Sequence, residues 1–587
     1  VPRKWTFHPH DEAGIRRLGG QLKISPLLAQ VLIARGFSDA AAAKSFLDAR
    51  LTDLHDPALL PGVDQAADFI VAAIRSGRRI TIYGDYDVDG VTGTSLLWHC
   101  LQLCNATVDY YIPCRMEEGY GLNSAALQQL YDEDPQRLVV TVDCGIASVS
   151  DAAFARELGL DLIITDHHHI GTALPDALAL VHPRLPGSEY PFGDLCGAGV
   201  AFKLAWAICQ RLGDGKRASP HMREYLKQAV GLAAIGTVAD VVPLHGENRI
   251  IVRYGLQSLP GQSSPGLKAL LKLARLEGKE TLRGDDIGFG IAPRINAAGR
   301  LGQARLAVEL LTTENVDRAQ KLAEYLEELN NNRRTVERRI FREAKEMVAE
   351  NPDWEEHKTL VLAHHEWHPG VIGIVASRVS EEFEKPTVLI SLREDGTGQG
   401  SGRSWAGFDL YEGLASCREH MLSFGGHKAA AGVRLKAAAV PEVRSLLAAW
   451  AADNFHPTED DTELRIDAEV LLAEVTLRAI QELERLGPFG QGNPQPRFAA
   501  TQIELAEPPK TIGEGDRHLS VRLRQHRTVM RAVAWGRGEW AEELQATRGP
   551  ISISFAPIIN SFRGYNSVEL QLIDWKPAVA AQTAYGA

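Results

Sequence analysis

The sequence is short of the features that would place it in a special class. No apolar run approaches the roughly 20 residues of a membrane-spanning helix, and the opening VPRKWTFHPHDE lacks the apolar core of a secretory signal. A cytoplasmic protein without a membrane partner is expected. Cysteines number only seven, an odd count, scattered and never spaced C-x-x-C, which excludes a disulfide framework and a zinc knuckle. Cys144, though next to Asp143, reads as a small packing residue. Internal repeats and long low-complexity tracts are absent, so solenoid and linker architectures are set aside. Positive charge is not in excess either: the net charge is -12. That balance does not exclude a polyanionic partner, because local fields govern binding and acid clusters at a metal site inflate the negative count.

At 587 residues the chain exceeds what one hydrophobic core can organise, and its 45% apolar and 24% charged content is that of an ordinary globular protein. Residues 1–55 carry helical periodicity in ISPLLAQVLIARGF and DAAAAKSFL and read as an N-terminal helical module. Over 56–302, β-branched runs (RITIYGD, ATVDYYIP, RLVVTVDCG, DLIITDHHH, LALVHPR) alternate with helical stretches, which predicts a doubly wound, mainly parallel sheet. Residues 303–350 contain neither Pro nor Gly and predict a long connecting helix. A second, smaller α/β domain follows over 351–455, with the glycine-rich GTGQGSGRS between two of its elements. Strand-rich segments over 456–587 (HLSVRLRQHRTVMRAVAWG, PISISFAPI, SVELQLIDW) suit an OB-type β-barrel.

The chemistry concentrates at strand ends. ITIYGDYDVDG places Asp85, Asp87 and Asp89 after an apolar strand and before a helix, where open parallel sheets put their ligand sites. If the backbone stays extended, carboxylates spaced by two share one face, and so much negative charge requires a cation. Alone, D-x-D-x-D-G is also a good turn. Recurrence separates the readings: VVTVDCG ends on Asp143, and LIITDHHH ends on Asp166, His167 and His168. Asp240 in AAIGTVADVVPL adds a carboxylate whose burial unpaired would be costly, although a capping or salt-bridged aspartate also fits. Carboxylates with one or two imidazoles suit two Mn²⁺ or Mg²⁺ ions rather than structural zinc, with Asp143 the best bridge between ions ~3.5–4 Å apart.

The motifs YGDYDVDG, VDCG, TDHHH and GTVADVVPL, in this order and spacing, resemble those of the DHH phosphoesterase family. APRINAAGR, SGRSWAGFDL, FGGHKAAAG and PFGQGNPQPRF extend the resemblance over nearly the whole chain, to members that degrade single-stranded DNA. It implies a DHH core, a DHHA1-like second domain, and a 5′ to 3′ exonuclease releasing mononucleotides in DNA repair and recombination. It further implies that Asp87 and Asp143 hold one metal with Asp85 close by, and that Asp89, Asp143, His167 and Asp240 hold the other. His168 would orient the site or contact phosphate, and His427 and Arg300 would contact phosphate and stabilise transition-state charge. His169 lengthens the DHH triplet by one and has no assigned role.

For the substrate, Ser401, Arg403 and Ser404 follow glycines that allow close backbone approach; a glycine-rich turn is the plain reading, and the resemblance implies a terminal-phosphate pocket. Arg115 and Tyr120 read equally as surface and packing residues until the resemblance turns them toward phosphate and base. On the connecting helix Arg334, Arg338, Arg342 and Lys345 share a face, with Glu337, Glu343 and Glu346 offering salt bridges instead. Arg522, Arg524, Arg531, Phe562, Arg563 and Tyr565 mix cations with aromatics in the barrel. Single-stranded DNA is the expected partner, with a single-strand-binding protein as a further one and a monomer as the expected state. A hydrolase of small phosphates and a non-catalytic scaffold are the competing readings.

Overall fold

Five short strands organise the first α/β domain: β1 (Ile80–Gly84), β2 (Val108–Tyr111), β3 (Leu138–Val142), β4 (Asp161–Thr165) and β5 (Ala179–Val181). The computed structural model describes residues 3–114, 118–119, 121–215, 217–262, 264–458, 462–562 and 565–578. The strands pair in parallel in the order β2-β1-β3-β4-β5. β1 and β3 are buried at every residue, as parallel strands covered on both faces must be. Chain direction across the sheet reverses between β1 and β3, and a crevice opens beyond the carboxyl ends of strands at such a switch point. Hydrogen bonds continue one residue past the strands: Asp85 N–H donates to Val142 O at 3.2 Å, and Asp143 N–H and Asp166 N–H donate to Thr165 O and Val181 O at 3.1 Å each. Three aspartates therefore emerge side by side at the sheet's edge.

Three helices, α1 (Val88–Leu103), α2 (Gly197–Leu212) and α3 (Pro220–Ala239), pack on one another against this sheet. The short α4 (Ala292–Arg300) follows a single π-helical turn at Asp286–Ile291. The stretch 303–350, expected as one helix, is two: α5 (Ala304–Thr312) and α6 (Val316–Ala349). Asn315 separates them by accepting the Arg318 N–H at 2.9 Å, a cap that a scan for Pro and Gly does not register. The 34 residues of α6 run about 50 Å at ~1.5 Å per residue. Its first part packs on α4, and its later part meets α7 (Ile372–Phe383) of the second domain through Ile340, Ala344 and Val348.

The second domain pairs β6 (Leu360–His364), β7 (Thr387–Leu392), β8 (Thr397–Arg403), β9 (Met421–Gly426) and β10 (Ala430–Lys436) in the order β9-β10-β8-β7-β6. The glycine-rich segment, read as a connection, is the central strand β8, hydrogen-bonded on both edges. Packing explains the composition. A Cβ on Gly398, Gly400 or Gly402 would lie 2.9, 2.6 or 2.8 Å from side-chain atoms of Ile390, Val433 and Leu410 respectively. The alternate residues are then Gln399, Ser401 and Arg403, so glycine marks the packed face and polar residues the open one.

In the C-terminal region, strands Phe498–Leu505, Ile551–Phe562, Tyr565–Pro577, Thr528–Ala534 and His518–Gln525 pair in that ring order, and Glu504↔Arg524 closes the circle. Closure removes the sheet edges. The N-terminal helices Glu12–Leu22, Pro26–Ala34 and Ala40–Leu47 share this core: Leu28, Leu32 and Leu47 pack with Phe498 and Phe555 in one cluster. Residues 1–50 and 462–587 thus form one compact unit and 51–461 another. The pairing of chain ends so remote in sequence has no local signal.

Crowding on β8 sets a stability test. Gly400→Val forces its side chain into Val433 and the Leu389 carbonyl, 2.6 and 3.2 Å from the new Cβ. A loss of about 1–3 kcal/mol in denaturant unfolding is expected, the range for overpacking. Gly432→Ala, whose Cβ meets nothing nearer than 4.0 Å, should change stability by less than about 0.5 kcal/mol.

Candidate metal centre

The first three aspartates do not lie along an extended strand, as their spacing suggested. β1 ends at Gly84, Asp85 follows it, Asp87 caps α1 and Asp89 lies in its first turn. Asp87 Oδ1 accepts the N–H groups of Asp89 at 2.9 Å and Gly90 at 3.1 Å, so the strand-to-helix turn itself brings the carboxylates together. Gly90 is required there, since a Cβ would sit 2.6 Å from the Asp85 carbonyl.

Helices close in from the other side. The first N–H groups of α2, from Gly197 and Ala198, donate to Asp89 Oδ2 and Oδ1 at 2.6 and 2.9 Å, placing that carboxylate at the positive end of a helix. A Cβ on Gly197 would lie 2.5 Å from the Asp143 Cβ, and one on Gly236 of α3 would lie 2.5 Å from Asp89 Oδ1. Both approaches depend on glycine. Asp143 adopts a φ of +66°, rare for a residue with a side chain, and β-branched Val241, just after Asp240, adopts +60°. Backbone strain of this kind collects at functional sites. Asp240 is the C-cap of α3, a helix end that repels a carboxylate.

Three groups of donor atoms result, each gathered within 4.8 Å: Asp85, Asp87 and Asp143; Asp89, His167 and Asp240; and Asp143, His167 and His168, which overlaps the other two. His167 Nε2 joins them, 3.1 Å from Asp143 Oδ1, 3.6 Å from Asp240 Oδ2 and 3.7 Å from Asp89 Oδ2. Burial and then Asp87 push the Asp85 carboxyl up to about 8. Burial and then Asp89 push Asp240 to about 8. Asp87 and Asp143 are raised by burial and by their neighbours. Burial holds His167 down to about 4, so its imidazole is neutral near neutrality. Asp85 Oδ1 and His167 Nε2 have no hydrogen-bond partner among the described residues. Buried carboxylates around a neutral imidazole lone pair, with donor atoms left over, fit two divalent cations bound mainly by oxygen. Such ions would supply an activated water and charge neutralisation for phosphoester cleavage.

Behind the site stands a support of which the sequence names Asp166 and His168 but not His182. Asp166 spends its oxygens on the loop: Oδ1 accepts the N–H groups of His167 and His168 at 2.7 and 3.1 Å, and Oδ2 accepts that of Ile146 at 2.9 Å. His168 Nδ1 bonds Asp166 Oδ1 at 2.8 Å; burial opposes its protonation, but Asp166 outweighs burial and raises it to about 9. His182, fully buried just past β5, donates from Nε2 to the His168 carbonyl at 2.8 Å and accepts the Arg184 N–H at Nδ1 at 3.0 Å. The only available signal was its place at the end of LALVHPR, a strand already read as part of the sheet.

The proposed substrate residues are distributed unevenly. Arg115 and Tyr120 lie outside the described residues. Arg300 ends α4 beside the acidic loop, since a Cβ on Gly299 would meet the Tyr86 carbonyl at 2.3 Å; its Nη1 donates to the Gly370 carbonyl at 3.0 Å. Ser401 and Arg403 face the start of α7: a Cβ on Gly373 would lie 3.0 and 3.2 Å from Ser401 Oγ and Arg403 Nη2. Arg403 Nη1 donates to Ser401 Oγ at 2.9 Å, whereas the Ser404 hydroxyl is committed to the Phe408 carbonyl at 2.6 Å. The His427 ring lies 5.0 Å from that of His169. On α6, Arg342 pairs with Glu346 and Lys345 with Glu382, the salt-bridged alternative, while neither Arg334 nor Arg338 makes an ion pair among the described residues. In the barrel Arg531 pairs with Glu569 and Arg522 stands 3.7 Å from Glu507; Arg524 is exposed. The side chains of Phe562, Arg563 and Tyr565 lie outside the described residues.

A pH dependence follows. Asp85 and Asp240, raised to about 8, keep protons that the unfolded chain has already released, so metal-free stability falls as pH rises toward 8. His168, raised to about 9, stabilises below its unfolded value and loses that contribution in the same direction, while His167, lowered to about 4, adds no slope above about 6.5. In calorimetry with chelator, Tm should fall between about pH 6.5 and 8, and the upward shift produced by Mn²⁺ should grow over that window. A metal-induced shift independent of pH would contradict the cluster's ionisation.

Comparison with known proteins agrees with this geometry. The N-terminal domain of the DHH family matches residues 79–237, the DHHA1 domain 356–453 and the RecJ OB domain 466–574. The single-stranded-DNA-specific exonuclease RecJ of Bacillus subtilis is 40% identical over 573 residues, 97% of this chain and 70% of that protein. RecJ of Thermus thermophilus is 37% identical over 97% of this chain and 78% of its own length. The crystal structure of Thermus thermophilus RecJ in complex with Mn²⁺ superposes with a TM-score of 0.82 at 33% identity, covering 98% of this chain and 80% of that one. A manganese-bound exonuclease RecJ structure gives 0.58 at 39% identity, over 68% of this chain and 96% of the other. On the strength of domain order, identity and coverage together, the chain belongs to the RecJ family of DHH phosphoesterases.

Proposed function

We propose that this protein is a metal-dependent exonuclease that hydrolyses single-stranded DNA from its 5′ end to mononucleotides, in DNA repair and recombination. The observation that carries the reading is the pair of buried donor groups, Asp85–Asp87–Asp143 and Asp89–His167–Asp240, joined through the 3.1 Å approach of His167 to Asp143. Relatives named as single-stranded-DNA-specific exonucleases, and relatives solved with Mn²⁺ and with Mg²⁺, support both the substrate and the ions. Asp87, Asp89, Asp143, His167 and Asp240 hold two Mn²⁺ or Mg²⁺ ions, with Asp143 between them. His168, kept protonated by Asp166, offers a hydrogen bond to the scissile phosphate. Arg300 and His427 meet the charge that develops on it.

Ser401 and Arg403, at the start of α7, provide a seat for the terminal phosphate, where a guanidinium fork and helix N–H groups favour an anion. The closed barrel holds the trailing strand, with Arg524 among its outward cations. Ser404 supports that seat through its carbonyl partner rather than touching phosphate. Arg115 and Tyr120 remain substrate contacts in this proposal on the strength of their motif alone. Action on DNA places the protein in the cytoplasm, where it works as a monomer and meets a single-strand-binding protein on shared substrate.

Asp143→Ala should lower kcat by roughly 10³-fold or more at saturating Mn²⁺, because it removes a donor of the first group that also stands 3.1 Å from His167 of the second. Its retained activity would overturn the site. On end-labelled single strands, the 5′ label should appear in mononucleotide first; early release of the 3′ label would reverse the polarity. Turnover of dinucleotides as fast as that of long strands would favour a small-phosphate hydrolase.

A further inference from the structure

The extra histidine of the triplet is one of the places where the two α/β domains touch, another being the bond from Arg300 to Gly370. The His169 and His427 rings lie 5.0 Å apart between centroids, tilted by 57°, and both residues are exposed. Neither ring has a polar partner among the described residues, so mutual packing is what orients them there. Their backbones, by contrast, are held firmly. On one side His182 grips the His168 carbonyl at 2.8 Å and Asp166 accepts the His168 N–H at 3.1 Å, immediately before His169. On the other, the turn between β9 and β10 closes with the His427 N–H donating to the Ala430 carbonyl at 2.9 Å. Gly426, at a φ of +138°, permits that turn, since a Cβ there would lie 2.4 Å from the Ala430 carbonyl. Leu410 N–H and Ser404 N–H bond the carbonyls of Lys428 and Ala429 at 3.1 and 2.9 Å, tying the turn to its own domain. Two anchored backbones thus face each other through one pair of rings.

We infer that His169 is a positioning residue that seats the His427 imidazole of the second domain against the metal-site loop of the first, so that the two domains act on one phosphate. The inference rests on the proposed role of His427 at the scissile phosphate and adds the residue through which that role is exercised. His169 holds no metal and touches no reacting atom. It stands two residues beyond His167, so a ring packed on it rests on the loop that carries His167 into the donor cluster. Ring packing supplies orientation while leaving the ring nitrogens available, because a tilted ring contact needs no proton from either imidazole.

A double-mutant cycle in the full-length protein tests this, with kcat and KM measured on single-stranded DNA at saturating Mn²⁺. His169→Ala should lower kcat between about threefold and tenfold, the span of an aromatic pair contact, with KM and Mn²⁺ affinity within about twofold of the parent. His169→Phe, which keeps a ring, should recover most of that loss. In a His427→Ala background, His169→Ala should have no further effect. Multiplicative losses, or a weakened Mn²⁺ affinity in His169→Ala, would show that His169 merely stiffens its own loop and would overturn the inference while leaving His427 in place. Full activity of His427→Ala would overturn the role of His427 and the inference with it.

Discussion

Charge repulsion inside a small buried volume is the constraint on which the rest of the molecule depends. Asp85, Asp87 and Asp143 place donor oxygens within 4.8 Å of one another. Two like charges at that spacing repel by about 3–4 kcal/mol even at an effective dielectric near 20. A helix N-terminus or a backbone N–H returns about 1 kcal/mol each, so the donations to Asp87 and Asp89 cannot balance the cluster. The protein on its own relieves the repulsion by retaining protons, as the raised carboxyls of Asp85 and Asp240 show. Divalent cations relieve it while leaving the carboxylates ionised for chemistry.

The architecture is arranged to make that concentration possible. Parallel strands end in a row at the switch point, and each delivers one acidic residue before the chain turns away. Glycines at 90, 197 and 236 let a carbonyl, a helix start and a helix side approach where any side chain would collide. The same device recurs on β8, where alternate glycines press one face into packed Ile390, Val433 and Leu410 and leave Ser401 and Arg403 on the other. In both places glycine serves close approach more than flexibility. Helix α6 links the two domains, so the acid cluster and the Ser401–Arg403 pair belong to one continuous piece of structure.

Membership of the RecJ family gives this arrangement a substrate, and the geometry gives each residue a reason. Asp166, the first residue of the triplet, serves the loop rather than the ions: its oxygens are occupied by N–H groups and by His168. His167 stays neutral and faces the carboxylates, and His168 is charged and partly open to solvent. Adjacent histidines are thus shifted in opposite directions, His167 down by burial and His168 up by Asp166 against its own burial.

The sequence by itself determined most of the elements and where acids gather, because period, strand composition and terminal aspartates are local properties. It announced the parallel sheet, the barrel and the candidates Asp85, Asp87, Asp89, Asp143, His167 and Asp240 by number. Only the tertiary structure decided how they converge: through a capped turn, a left-handed Asp143 and helix starts contributed by α2, none of which a spacing of two residues encodes. It alone made the glycine run a strand, split the connecting helix at Asn315, joined the N-terminal helices to the barrel core, and set His182 behind His168 and His427 against His169. Apart from the local cap at Asn315, each of these is a contact between residues distant in the chain, settled by volume, hydrogen-bond geometry and charge in three dimensions rather than by any pattern along one.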